Sequence, residues 1–205
     1  MHGEALRVRR AIFGEDHRLV AASLNDLGNA LTRQGDYREG LTLKRQALAI
    51  RRSRFGNEHA EVARTLTSLA ETLTYQRELA EAEALQRQAL AMQRKLLAEG
   101  HPDTFASLNS LARLLRAGGS LDESETVYRE AVRAATGQEN LAVSRVLNQL
   151  AKVLAENGKL PEAEQACREG LELRRRLLDQ EHASVIESFH HLVGLLQQQG
   201  KFAEL

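Results

Sequence analysis

The sequence predicts an all-α chain built from a repeated pair of helices, and three observations carry that prediction. Its 205 residues hold only two prolines and 4% aromatics, while the abundant Ala, Leu, Arg, Glu and Gln all favour helix. Residues also recur at a fixed interval. His17, His59 and His101 are 42 apart, as are Leu24, Leu66 and Leu108, and Leu6, Leu48 and Leu90; self-similarity at such a period marks a repeat architecture. Within each period, apolar residues return at three- and four-residue steps along two segments broken by a tight turn, which is the spacing of paired amphipathic helices.

The elements follow in order. Residues 1–12 are the second helix of a preceding unit, because Ala5, Leu6, Phe13 and Gly14 match Ala47, Leu48, Phe55 and Gly56 one period later. Unit one, 13–54, places Val20, Leu24, Leu27 and Leu31 on a first helix, turns at Gly35, and resumes with Tyr37, Leu41 and Leu48. Unit two, 55–96, repeats this with Arg77 in the turn slot, where glycine supplies a left-handed backbone at little steric cost, so a modest strain or a different turn is expected there. Unit three, 97–136, ends where the period shortens once to 39, taking Leu108 to Leu147 and Gly119 to Gly158. Unit four, 137–178, has Asn140 in the histidine slot, and a partial fifth unit, 179–205, restores 42 with His182 and Gly200. Pro102 and Pro161 lie near predicted helix starts, where a missing N–H costs nothing. Small residues mark close helix approach: Gly28, Ala70, Ala112 and Ala151 on first helices, Gly40, Ala82, Ser124 and Ala163 on second ones.

Chemistry is harder to place on this pattern. Lys plus Arg equals Asp plus Glu at 28 each, so no global field attracts nucleic acid or an anionic membrane. No stretch approaches the ~18 apolar residues of a membrane span, and the charged start is unlike a signal peptide. One cysteine, Cys167, fits a reducing compartment, so the expected location is cytoplasmic. The motifs "FGEDH", "FGNEH", "AEGH" and "DQEH" end in His17, His59, His101 and His182. Equivalent turns in a stacked array sit roughly 8–10 Å apart, too far to share one zinc ion, so each histidine is expected to fix its own loop and the next helix start. His190 and His191 are adjacent and lack the spacing of a zinc protease motif. No histidine lies near Cys167 in the repeat, which makes it a small core residue. The basic runs at Arg51, Arg52, Arg54 and at Arg174, Arg175, Arg176 end helices, where cations suit the exposed carbonyls. No catalytic residue, metal site or cofactor is expected.

A helical pair with small residues at these offsets resembles the tetratricopeptide repeat. The 42-residue unit with "SLNDLG", "TLTSLA", "SLNSLA", "VLNQLA" and "SFHHLV" is similar to the variety found in kinesin light chain and in many bacterial signalling proteins. The resemblance implies a right-handed superhelical solenoid of antiparallel helix pairs over 1–205, with a concave wall lined by first helices. The polar stripe of those helices gives Asn25 and Asn29, then Arg64, Thr67 and Glu71, then Asn109, Arg113 and Arg116, then Arg145, Asn148 and Lys152, and His190 in the last unit. The resemblance further implies that the asparagines of "SLN.LA" clamp the backbone of an extended peptide. The excess of Arg and Lys over Glu71 favours an acidic one. A noncatalytic protein-interaction scaffold is therefore expected; the alternative is a structural spacer or self-assembling segment of a larger signalling protein. That alternative draws on the ends, where Leu192, Leu195, Leu196 and Phe202 are expected to expose apolar surface as in a piece of a longer array.

Overall fold

The computed structural model describes residues 2–135 and 140–201, and among these all regular structure is α-helical. Packing divides the chain into two compact units, Met1–Ser110 and Leu111–Leu205. The first holds α1 (His2–Phe13), α2 (Arg18–Gln34), α3 (Tyr37–Phe55), α4 (Ala60–Tyr75) and α5 (Leu79–Leu96). The division falls inside α6 (Pro102–Ala117), and the second unit continues with α7 (Leu121–Ala134), α8 (Leu141–Glu156), α9 (Leu160–Leu177) and α10 (Ala183–Gln198). In each unit successive helices pack as neighbours, α2 on α3, α4 on α5, α8 on α9. No described helix is long and apolar enough to cross a membrane.

The repeated histidines are the start signals of the first helices. The first N–H groups of a helix have no partner within it, and His17 Nδ1 accepts from the N–H of Leu19 at 3.3 Å, His59 from Glu61 at 3.1 Å, His101 from Asp103 at 3.1 Å and His182 from Ser184 at 3.1 Å. Phe13 and Phe55 stack on the rings of His17 and His59, with centroids 4.6 and 4.3 Å apart, which fixes each imidazole over its turn. In the shortened unit Asn140 Oδ1 does the same for Ala142 and Val143. The metal-like motif is thus a capping device, with asparagine able to replace histidine because both offer an acceptor at the same reach.

The turn between paired helices reverses through a left-handed residue. Gly35, Gly119, Gly158 and Gly200 have φ of 89°, 85°, 74° and 72°, and Arg77, in the same slot, has φ of 67°. Past each turn the helices touch through their smallest side chains. A Cβ on Gly28 would lie 2.8 Å from Lys44 Cγ and 3.0 Å from the Gly40 carbonyl oxygen, so glycine at both positions admits the lysine. Lys44 is buried, and its Nζ donates to the Ser68 carbonyl at 3.0 Å and to Thr72 Oγ1 at 2.7 Å. Burial pushes its ammonium down to about 8, with the Glu71 carboxylate opposing the shift.

The junctions between repeats differ from the sequence expectation. Arg51 and Arg174 do not serve the helix ends they stand on; both are buried and turn into the next first helix. Arg174 Nη1 donates to Ser188 Oγ at 2.8 Å and to the Ser184 carbonyl. Arg51 Nη1 bonds Thr65 Oγ1 and the Glu61 carbonyl, and Arg9 Nη1 reaches Ser23 Oγ at 2.7 Å. A buried guanidinium needs its hydrogens matched, and acceptors on the incoming helix supply this more completely than the solvated end of its own helix. A second correction concerns α10: Leu192, Leu195 and Leu196 are buried, and the exposed apolar side chains there are Ile186 and Phe189. Phe202 lies outside the described residues.

Two outcomes follow. Arg77→Gly relieves the left-handed strain of roughly 1–2 kcal/mol but loosens the unfolded chain, so a net gain of about 0.5–1 kcal/mol is expected, read as a higher urea midpoint. For Lys44 the folded value of about 8 lies below the ordinary 10.5. Between these values the unfolded chain still holds a proton that the folded chain has lost, so stability contributed by this site rises with pH across that window. The melting temperature of the wild type should therefore gain on that of Lys44→Met from pH 8 to 10.5. A gap independent of pH would contradict the burial of the amine.

Candidate functional site

In the second unit the polar faces of α8 and α10 meet the end of α9 around a cavity of about 240 Å³ lined by Arg145, Asn148, Gln149, Lys152, Arg174, Glu187 and His191. The sequence pattern places these side chains at one level because residues three and four apart share a helix face. Gly170 sets the depth: a Cβ there would lie 2.9 Å from the Asn148 amide and 3.2 Å from the Ser144 carbonyl oxygen, so α9 approaches α8 to backbone distance. Asn148 is buried with its amide oxygen toward Ser188 Oγ at 2.7 Å and the Arg174 guanidinium at 3.1 and 3.2 Å, the orientation that matches donors to an acceptor. Arg174 Nε also donates to Ser144 Oγ at 3.3 Å, so the floor of the cavity is a closed hydrogen-bond network.

The rim carries the charge. Arg145 is exposed and Lys152 half-buried, and with Arg174 they give three cations against the single carboxylate of Glu187, 3.7 Å from Arg174. Burial, with the Lys152 charge beside it, pushes the His191 imidazole below its usual range, so it is neutral at pH 7 and can accept as well as donate. His191 Nδ1 lies 3.7 Å from Cys167 Sγ, which corrects the expectation that no histidine stands near that thiol. The pair lacks the character of an activated nucleophile: Cys167 is fully buried and burial pushes its thiol up to about 11, whereas reactive thiols have lowered values.

The remaining predicted groove residues behave differently. Arg64 is held by Asp103 and Glu61, each at 2.8 Å, and Arg116 by both oxygens of Glu156. The stripe of first-helix residues thus contains cations paired with acids: Glu61 three residues earlier on the same helix, and Asp103 and Glu156 on the following first helix, which spacing within a single helix does not reveal. Asn29 accepts from Ser68 Oγ at 2.8 Å and Thr67 pairs with Ser107 at 3.1 Å, so both tie neighbouring first helices together. Asn25 Oδ1 is buried with no hydrogen-bond partner among the described residues. Asn109 is half-buried, Glu71 and Arg113 are exposed, and His190 is exposed next to Phe189. Sequence reasoning missed Gln149, Arg174 and His191; for Arg174 the signal was present, since Arg9, Arg51 and Arg174 each precede a Ser or Thr by 14 residues.

The close approach at Gly170 makes the site sensitive to one methyl group. Gly170→Ala should displace the Asn148 amide and cost about 1–3 kcal/mol through overpacking, seen as a lower melting temperature and a moved Asn148 side-chain resonance in nuclear magnetic resonance spectra. An unchanged resonance would mean that the helices separate instead.

Comparison with known proteins gives this geometry a family. Models of the tetratricopeptide repeat match residues 1–53, 24–95, 61–137 and 143–184. No curated protein sequence matches the chain. Among solved structures, the nearly identical TPR-like repeats of a Podosopora anserina kinesin light chain-like protein share 25% identity over 92% of this chain and 90% of that one, with a TM-score of 0.81. BtubC (BKLC) of P. vanneervenii shares the fold at 17% identity, 98% and 83% coverage and a TM-score of 0.85. The apo form of RapI shares it at 13% identity, 89% and 65% coverage and a TM-score of 0.76. With family matches spanning most of its length, the chain belongs to the tetratricopeptide repeat family, and its repeats are of the kinesin light chain type.

Proposed function

We propose that this chain is a noncatalytic scaffold that binds an acidic segment of a protein partner in the cavity between α8, α9 and α10. Tetratricopeptide repeat proteins are protein-interaction scaffolds, and the finer reading rests on one observation: Arg145, Lys152 and Arg174 converge with the amides of Asn148 and Gln149 on a single concavity that holds only Glu187 in opposition. Guanidinium groups match carboxylates in paired hydrogen bonds, and amides serve the N–H and C=O groups of an extended backbone. The segment's carboxylate takes Arg145 and Lys152, the two cations that the described network leaves outermost, while Arg174 stays fixed to Ser144 and Ser188. Cytoplasmic residence fits a protein with one free, buried cysteine.

Random twelve-residue peptide display on the intact chain tests this, with Arg145→Glu, Lys152→Glu run beside it. Arg145 is exposed and Lys152 half-buried at the rim, neither in the packed core, so the double variant should keep its helicity. The wild type should enrich peptides with clustered Asp or Glu, and the variant should bind the selected peptides at least about a hundredfold more weakly, on the scale of two lost charge-assisted contacts. Equal binding by both would move the site elsewhere.

A further inference from the structure

A second concavity of about 270 Å³ lies between α7 and α9 over the back of α8, floored by Val132, Leu147, Leu150, Leu154 and Ala166. Its origin is legible in the repeat. Leu43, Leu85 and Val127 follow each other at 42 residues, and Ala166 comes 39 after Val127, across the shortened period. In the first unit Leu43 packs against the core cluster formed by Leu6, Val20, Ala21, Leu24 and Ala47. Leu6 and Leu24 are the register equivalents of Val132 and Leu147, so the fold itself seats a leucine at this place. Unit four replaces that isobutyl group by a methyl, and the surrounding helices have not closed over the loss. The rim carries Arg129 and Arg133 from α7 and Glu162 and Glu169 from α9. Arg129 is paired with Glu162, so two positive and two negative groups leave the mouth electrically balanced, unlike the cationic cavity of α8 and α10.

We propose that this cleft is a second binding site, which takes one leucine-sized apolar side chain from an uncharged stretch of a protein partner and so restores the contact that Leu43 makes in the first unit. The site is independent of the acidic-segment reading: it uses the second helices α7 and α9, shares no residue with the other cavity, and selects by volume where that one selects by charge.

The test uses the intact chain with isotope-labelled leucine and valine methyls, titrated with N-acetyl-leucinamide and N-acetyl-alaninamide. Saturable shifts at Leu147, Leu150, Leu154 and Val132 are expected for the leucine amide, with at least about tenfold weaker binding of the alanine amide, since three buried carbons separate them. Ala166→Leu should abolish the response by occupying the cleft from within. Ala166→Val, the residue that unit three carries, should weaken it and serves if the leucine variant does not fold. Arg145→Glu should leave it unchanged. Equal affinity for the two amides, absence of saturation, or an undiminished response in both Ala166 variants would overturn the proposal.

Discussion

Every repeat has to hand the chain from the end of a second helix to the start of the next first helix, and at three of these junctions an arginine that reaches across to that helix is the constraint on which the register depends. Arg51 and Arg174 leave water between two helices, with Arg9 half-buried at the equivalent place, and an unmatched buried guanidinium would cost far more than any single contact returns. Each is matched by a hydroxyl 14 residues later, Ser23, Thr65 or Ser188, together with a first-turn carbonyl. The loop length, the histidine cap and the pitch of the next helix are all fixed once that distance is set. Two junctions depart from this pattern. The register places Ala135 and Val146 at the junction where the period shortens by three residues, and both are buried. Removing both polar partners together is close to neutral, whereas removing one is not, so the junction whose loop length has changed lacks both arginine and hydroxyl, while at a junction of unchanged length the buried Gln93 takes the arginine slot 14 residues before Ser107.

Much of the fold was legible because it is repeated. Helix pairs, turn slots and cap histidines each occur several times in 205 residues, and repetition averages out the local ambiguity of any one helix. The slot of Arg77 left a modest strain or a different turn open, and φ of 67° places it among the turn glycines. What the sequence obscured are the relations between helices of different repeats. Arg51 and Arg174 look like helix-end cations, and only packing shows that they point inward. Arg64 and Arg116 look like free groove charges, but their acids, Asp103 and Glu156, stand 39 and 40 residues away on the following first helix. A stripe drawn along one helix cannot contain them. Cys167 and His191, 24 residues apart, illustrate the same limit.

The same physics decides where a uniform array becomes specific. A repeat position that keeps its residue type keeps its packing role, so function concentrates where a slot departs from the pattern. Asn148 shows this most directly. It keeps the asparagine shared with Asn25 and Asn109, yet only there does a glycine, Gly170, stand in the small-residue slot otherwise filled by Ala47, Ala89 and Ala131. The added proximity lets α9 carry Arg174 against the amide, and the network orients what would otherwise be a mobile side chain. The cavity beside it is consequently bounded by fixed polar groups, with the flexible cations Arg145 and Lys152 confined to the rim. Pre-fixed groups lose little entropy when a ligand arrives, which is the condition under which polar contacts contribute to affinity.

Charge balance then separates this site from the rest of the polar stripe. The chain as a whole is neutral at 28 charges of each sign, and on the first helices Arg64 and Arg116 are engaged by acids of the neighbouring repeat. Such exposed pairs contribute little to stability, but they cancel the local field and so silence the surfaces they occupy. Arg145 and Lys152 make no such ion pair among the described residues, and the carboxylate facing them from the next helix, Glu187, lies 3.7 Å from Arg174. A carboxylate drawn to that end of the groove meets uncompensated charge, and one drawn to Arg64 or Arg116 has to displace Asp103 or Glu156 first. In the site we propose, selectivity rests on which cations the neighbouring repeat leaves unbalanced, so the acids that pair Arg64 and Arg116 bound it as firmly as the cations within it.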